Sequence, residues 1–389
     1  MGRWPRLGDS APMNVAILVP IRVGGSGGFV KHLSEVVPRW ELSDRIDKIS
    51  IFAPAGTLDA LGTLGVDLVQ VPRNDYRTGF LRMGELVKAG GYDVVLNSTA
   101  RPVKLNGSPL VTMVQNIEPI QTPTYTMPYL WRLRLWALRR EHAIACRQAT
   151  RVLAVSNYVK NEVCRRFQLR QEKVDVVYHG FNPSEVATVR KPDINIPDRD
   201  FLFSAGSIVP YRGFEDILRA LGEIRSKGVL VPCVVLAGSR SDPARSYEQS
   251  LRKLAKTVHI TDRIIWAGQL QREEMSWCFN NARLFIQTSR AESFSNIQLE
   301  AIGHGCLCVS GNNPPMPEIL ADAASYYPLG DTCALASEIQ NVLKMDKKED
   351  GIRRDRARQR ASFFSWDKTA EQTLDALERA IQDFMERKI

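Results

Sequence analysis

Short unbroken apolar runs alternate along the chain with stretches in which apolar residues recur every three or four positions. Residues 15–20 form the first such run. It is too short for a buried helix and predicts a strand covered on both faces. Residues 49–53, 66–71, 94–96, 110–114, 152–155 and 174–178 repeat that character, and helical periodicity fills 29–39, 130–149 and 159–167 between them. Short loops cannot join parallel neighbours, so the alternation predicts a parallel sheet with crossover helices.

The rhythm breaks over residues 182–200, where Pro183, Pro192 and Pro197 stand among charged residues. A second series then begins. Strands are predicted at 201–205, 231–237, 264–266 and 284–288, and helices at 214–227, 246–256, 272–280, 298–304, 334–345 and 369–385. The fold class expected is α/β, with two doubly wound domains facing a cleft. We place a first domain at 13–182, a linker at 183–200 and a second domain at 201–365, with residues 1–12 as an extension. Ligands of such sheets bind beyond the carboxyl ends of the strands.

Composition narrows this picture only modestly. Apolar residues are 44% and charged residues 24% of 389, which excludes wholesale disorder and fibrous repeats. The net charge of +9 suits a polyanionic partner without naming it. No apolar run is long enough to span a bilayer, and the polar, Gly- and Pro-containing start does not resemble a signal peptide, so a cytoplasmic location is expected. Seven scattered cysteines and five histidines show no metal-ligand spacing. Asp198-Arg199-Asp200 precedes its strand and reads as a turn. Neither a metal nor another cofactor is expected.

Residues 126–175 carry eleven Lys and Arg against four acids. Within them Leu130-Trp-Arg-Leu-Arg-Leu-Trp136-Ala-Leu-Arg-Arg140 is both basic and aromatic, and over 128–150 it could lie on an anionic membrane. An ordinary domain helix with snorkelling arginines fits it equally. No nucleic-acid motif is present.

Two segments carry candidate chemistry. Gly24-Gly25-Ser26-Gly27-Gly28 follows the first strand and opens the first helix, where glycines allow close approach of an anion. It lacks the full dinucleotide fingerprint, and no acid ends the second strand, so a nicotinamide enzyme is disfavoured. The second segment is Arg290-Ala-Glu292-Ser-Phe-Ser295-Asn-Ile-Gln-Leu-Glu300. Ser295 with Gln298 spells a capping box, which predicts a helix from Asn296 with the amides of Phe294, Ser295 and Asn296 ready for phosphate. Glu300 lies about 6 Å further along the axis, an offset that suits a ribose diol.

The spacing Glu292 to Glu300 resembles the E-x₇-E signature of family-4 retaining glycosyltransferases of the GT-B fold. The likeness extends to Gly27-Gly28, Val155-Ser156-Asn157, Tyr178-His179-Gly180, Gly206 to Gly213, Leu236-Ala-Gly238, Trp266-Ala-Gly268, Pro317-Glu318-Ile319 and Ser365-Trp366. It implies transfer of a sugar from a UDP- or GDP-linked donor to a glycan or lipid-linked acceptor, with retained anomeric configuration, in surface polysaccharide or glycolipid synthesis. It further implies that Glu300 binds ribose, Glu292 the transferred sugar, and the amides of Phe294 to Asn296 the diphosphate. A C-terminal helix over 366–389 returning to the first domain is also implied. Two positions depart from the family pattern. Ser207 stands where an Arg is usual, leaving Arg212 as the cation, and Gln115 replaces a His that could carry a proton. A nucleotide-sugar isomerase on the same fold, or a nucleotide-sugar-binding protein with reduced turnover, are the alternatives.

Overall fold

The computed structural model describes residues 12–19, 28–62, 64–71, 78–103, 105, 107–121, 129–239 and 245–387. The chain forms two compact units. One holds residues up to Gln121, Tyr129–Gly180 and the chain from Trp366 onward, and the other holds Phe181–Ser365.

In the first unit the parallel strands are β1 (Met13–Leu18), β2 (Ile46–Ala53), β3 (Asp67–Gln70), β4 (Val94–Asn97), β5 (Leu110–Val114), β6 (Arg151–Ala154) and β7 (Val174–Val176). They lie in the order β3-β2-β1-β4-β5-β6-β7. Val15 pairs with Ile49 on one side and Val94 on the other. All of β4 and β5 is buried, Asn97 and Thr112 included, as strands between two helical layers should be. Helices α1 (Gly28–Glu41), α2 (Ala55–Leu61), α3 (Thr78–Ala89), α4 (Tyr129–Gln148) and α5 (Asn157–Phe167) make the crossovers. Ser156 starts α5 by accepting a hydrogen bond from the Val159 amide at 3.2 Å.

The C-terminal helix α13 (Trp366–Glu386) belongs to this unit. The Trp40 indole donates to the Ala370 carbonyl at 3.0 Å, and Thr369 Oγ1 donates to the Tyr178 carbonyl at 2.7 Å. Arg45 adds ion pairs to Asp375 and Glu378.

The second unit has β8 (Phe201–Ala205), β9 (Val234–Ala237), β10 (Ile264–Gly268), β11 (Ala282–Gln287), β12 (Cys308–Gly311) and β13 (Ala324–Tyr327), ordered β10-β9-β8-β11-β12-β13. Its helices are α6 (Phe214–Ser226), α7 (Arg245–Thr257), α8 (Arg272–Asn281), α9 (Asn296–Gly303), α10 (Met316–Leu320), α11 (Thr332–Leu343) and α12 (Lys347–Ser362). Phe203 meets Phe279 and Phe285 edge-on, with centroids 5.4 and 5.6 Å apart, and fixes the middle of the core.

Chain order reverses between β8 and β11, because the sheet grows through β9 and β10 on one side and β12 and β13 on the other. The loops leaving those two strands are therefore neighbours, which is where a doubly wound sheet accepts a ligand. The expected linker packs on this unit. The Arg190 amide donates to the Glu273 carbonyl at 3.1 Å, and its guanidinium pairs with Glu274. Asp198 pairs with Lys191, and among the described residues no cluster of acids, histidines or cysteines could hold a metal.

Candidate functional site

The loop after β8 ends in a single 3₁₀ turn, Pro210–Arg212, followed by Gly213. Gly213 has φ 66°, and a Cβ there would lie 2.5 Å from the Thr288 carbonyl oxygen. Only glycine allows that turn so close to the neighbouring loop. Arg212 folds back over Gly206, where an added Cβ would lie 3.3 Å from Nε.

The loop after β11 is laced to this one. Thr288 Oγ1 donates to the Arg212 carbonyl at 2.8 Å, and the Arg290 amide donates to the Tyr211 carbonyl at 2.7 Å. The Arg290 guanidinium grips Asp216 at 2.9 Å and Glu215 at 3.0 Å, both in the first turn of α6. Burial opposes the charge of Arg290, but Asp216, Glu215 and Tyr247 together more than offset it and raise its pKa. Asn313 Nδ2 donates to the Ser289 carbonyl at 3.1 Å and ties in the segment after β12.

This frame presents Arg212 and Glu292 to each other. Arg212 Nη1 donates to Glu292 Oε1 and, at 3.1 Å, to Ser289 Oγ. Gln287 Nε2 donates to the same Glu292 oxygen at 3.0 Å. Burial works against the guanidinium, yet the Glu292 carboxylate and Tyr211 outweigh it, so the pKa of Arg212 is raised and its charge is secure. Arg212 Nε is buried without a hydrogen-bond partner. The arrangement can bind an anion through the cation and a hydroxyl through the acid. Ser207, on the loop ahead of Arg212, is half-buried.

The helix α9 begins at Asn296, but the capping box is not formed. Ser295 adopts φ 73° and ψ 66°, its hydroxyl caps nothing, and the side chain of Gln298 is also without a partner. A capping serine needs extended backbone to swing its oxygen over the first amides, and the left-handed geometry prevents this. Ser295 is 6% exposed, so its hydroxyl is a buried donor waiting at the helix start. Phe294 is buried edge-on against Phe364 at 5.6 Å, which anchors the loop. Glu300 is half-buried in the second turn.

Arg212, Glu292, Ser295 and Glu300 thus share one unit. Gln115 and Gly28 belong to the other, and Gly27 lies outside the described residues. Gln115 follows β5 and donates to the Ser98 carbonyl at 3.3 Å, and its Oε1 is without a partner. Sequence reasoning missed Gln287, Ser289 and the Arg290 clasp. A buried polar Gln closing the otherwise apolar Leu284-Phe285-Ile286 was the available sign.

Two Rossmann-like units with polar loops at the switch point define the class to which GT-B glycosyltransferases belong. Residues 26–185 match the family model described as Glycosyltransferase Family 4, and residues 188–361 match that of Glycosyl transferases group 1. The chain is thus similar to glycosyltransferase families over both matched stretches. A curated relative is the D-inositol 3-phosphate glycosyltransferase of Streptomyces avermitilis, 26% identical over 60% of this chain and 53% of that protein. The chain spans about half the length of the curated relatives it matches first. A glycosyltransferase from Rickettsia africae has a similar fold, with TM-score 0.76 and 14% identity over 95% of this chain and 99% of that one. The Anabaena HepE protein, solved in complex with UDP-glucose, superposes with TM-score 0.73 and 18% identity over 94% and 100%.

Proposed function

We propose that the chain transfers a sugar from a UDP- or GDP-linked donor to a glycan or lipid-linked acceptor, with retention of anomeric configuration. The carrying observation is the buried Arg212–Glu292 pair at the switch point, fixed by Gln287 and Ser289. Departure of a nucleoside diphosphate concentrates negative charge, and a preorganised cation lowers that barrier most. Arg212 supplies the charge and can meet two phosphate oxygens at once. Glu292 accepts hydroxyls of the transferred sugar, Glu300 holds the ribose, and the backbone from Phe294 to Asn296 with the Ser295 hydroxyl holds the phosphates. Gly28 and Ser207 are assigned to donor binding in this reading, and Gln115 to hydrogen bonding with the acceptor. With the cation built from protein, no divalent ion is required. The product belongs to surface polysaccharide or glycolipid synthesis, made at the inner face of a membrane. The UDP-glucose bound to HepE supports a nucleotide-sugar donor.

The acids separate by experiment. Glu300→Ala removes contacts that are similar in ground and transition states and should weaken nucleoside-diphosphate binding. Glu292→Ala should leave that affinity within about twofold and lower turnover by about 10²-fold. Titration calorimetry with UDP and GDP, beside transfer assays on a nucleotide-sugar panel, measures both. Equal damage to diphosphate affinity from both variants would contradict the roles.

A further inference from the structure

The Arg290 clasp is one link of a longer chain of contacts that ends at Tyr247, in the first turn of α7. Arg290 Nη1 and Nη2 donate to the two Asp216 oxygens at 2.9 and 3.2 Å, and Nη2 also donates to Glu215 Oε1 at 3.0 Å. Glu215 Oε2 accepts in turn from the Tyr247 hydroxyl. Asp216 is 2% exposed, and its burial in α6 fixes it. The Glu215 side chain is 21% exposed, so a second bond is needed to hold its rotamer against water. Tyr247 supplies that bond. Its ring is half-buried against the core of this unit. Burial and then the Glu215 charge raise the pKa of the phenol, so it stays a proton donor.

What this holds is the loop of the site. Residues 288–295 between β11 and α9 form no regular structure, so side-chain ties fix their path. Glu292 lies between two such ties, the Arg290 fork and the Phe294 ring packed on Phe364. We infer that Tyr247 is a positioning residue for sugar transfer, acting through Glu215 and Arg290 to hold Glu292 in place. A guanidinium gripped by both acids cannot pivot, whereas one that has lost Glu215 can turn about its Asp216 pair. Such a turn displaces the residue two positions on, and a shift of about 1 Å in a reacting group can cost ~10²-fold in rate. A tyrosine that merely tied α7 to α6 would affect stability and leave turnover by the folded chain unchanged. The inference rests on the transfer reading above. Tyr327 provides the control, because its hydroxyl is buried near the same charges yet bonds no partner.

Steady-state transfer assays beside calorimetry with UDP and GDP test it. Tyr247→Phe removes one oxygen and keeps the packed ring. Its kcat should fall about 10-fold while diphosphate affinity stays within about twofold. Tyr327→Phe should keep the wild-type kcat. In a Glu292→Ala background, Tyr247→Phe should cost less than about twofold, because the group it positions is gone. Matching circular dichroism establishes intact folds. An unchanged kcat in Tyr247→Phe overturns the inference and leaves the transfer reading standing. So does a parallel loss of diphosphate affinity, or an undiminished cost in the Glu292→Ala background. A wild-type chain that turns over no nucleotide sugar overturns the transfer reading, and this role of Tyr247 with it.

Discussion

Ser295 holds a left-handed backbone, which costs a non-glycine residue about 1–2 kcal/mol. Its buried hydroxyl, without a partner, adds a desolvation cost of about 1 kcal/mol. Glycine would relieve both, less about 0.5–1 kcal/mol for the greater freedom of the unfolded chain. Ser295→Gly should therefore stabilise the protein by about 1 kcal/mol in urea titration. Strain of this kind persists at binding sites because the ligand uses it. The same variant should accordingly bind UDP or GDP more weakly. Stabilisation with unchanged affinity would show that the hydroxyl does not touch the nucleotide.

At the scale of elements, the site is two loops held in register by Gly213, Thr288 and the Arg290–Asp216 clasp. Arg212 and Glu292 have side chains only 20% and 11% exposed, so removing one strands the other charge. Arg212→Ala should cost about 3 kcal/mol of stability, and adding Glu292→Ala should return most of it. Turnover should fall at least ~10²-fold in both. Full turnover by Arg212→Ala would place the phosphate charge elsewhere. Element existence was legible wherever burial leaves a pattern, as in β8, whose limits match expectation at both ends. It was not legible in α12, which buries only Ala357 and Ala361 and so has no apolar stripe. Asp346, capping the Glu349 amide at 2.8 Å, was its one sign. The pairing of Glu292 with Arg212 was hidden for a different reason. It depends on the order of β8 and β11 in the sheet, which periodicity does not encode.

At the scale of the molecule, the two units bury different polar groups, and acid should act on the first. His32 is wholly buried in α1, with neither ring nitrogen hydrogen-bonded, against His179 at 5.6 Å and Trp366 at 6.2 Å between centroids. Burial, and then the neighbouring His179, lower its pKa to about 3. His142 in α4 is lowered to about 4 by burial and then by Arg101. In the unfolded chain both titrate near 6.5. Between those values the unfolded chain takes up protons that the folded chain refuses, so stability is full above pH 6.5 and is lost as pH falls. One such group accounts for about 2 kcal/mol at pH 5, at 1.36 kcal/mol per pH unit. His32→Phe retains a ring against His179 and Trp366 but cannot titrate. Whatever it does to absolute stability, it should shrink the difference between urea midpoints at pH 7.5 and 5 by the equivalent of about 2 kcal/mol. His142→Phe should do the same, and the two effects should add, because the histidines share no partner. An undiminished pH dependence in the double variant would mean that carboxylates govern the acid response and that the buried histidines do not.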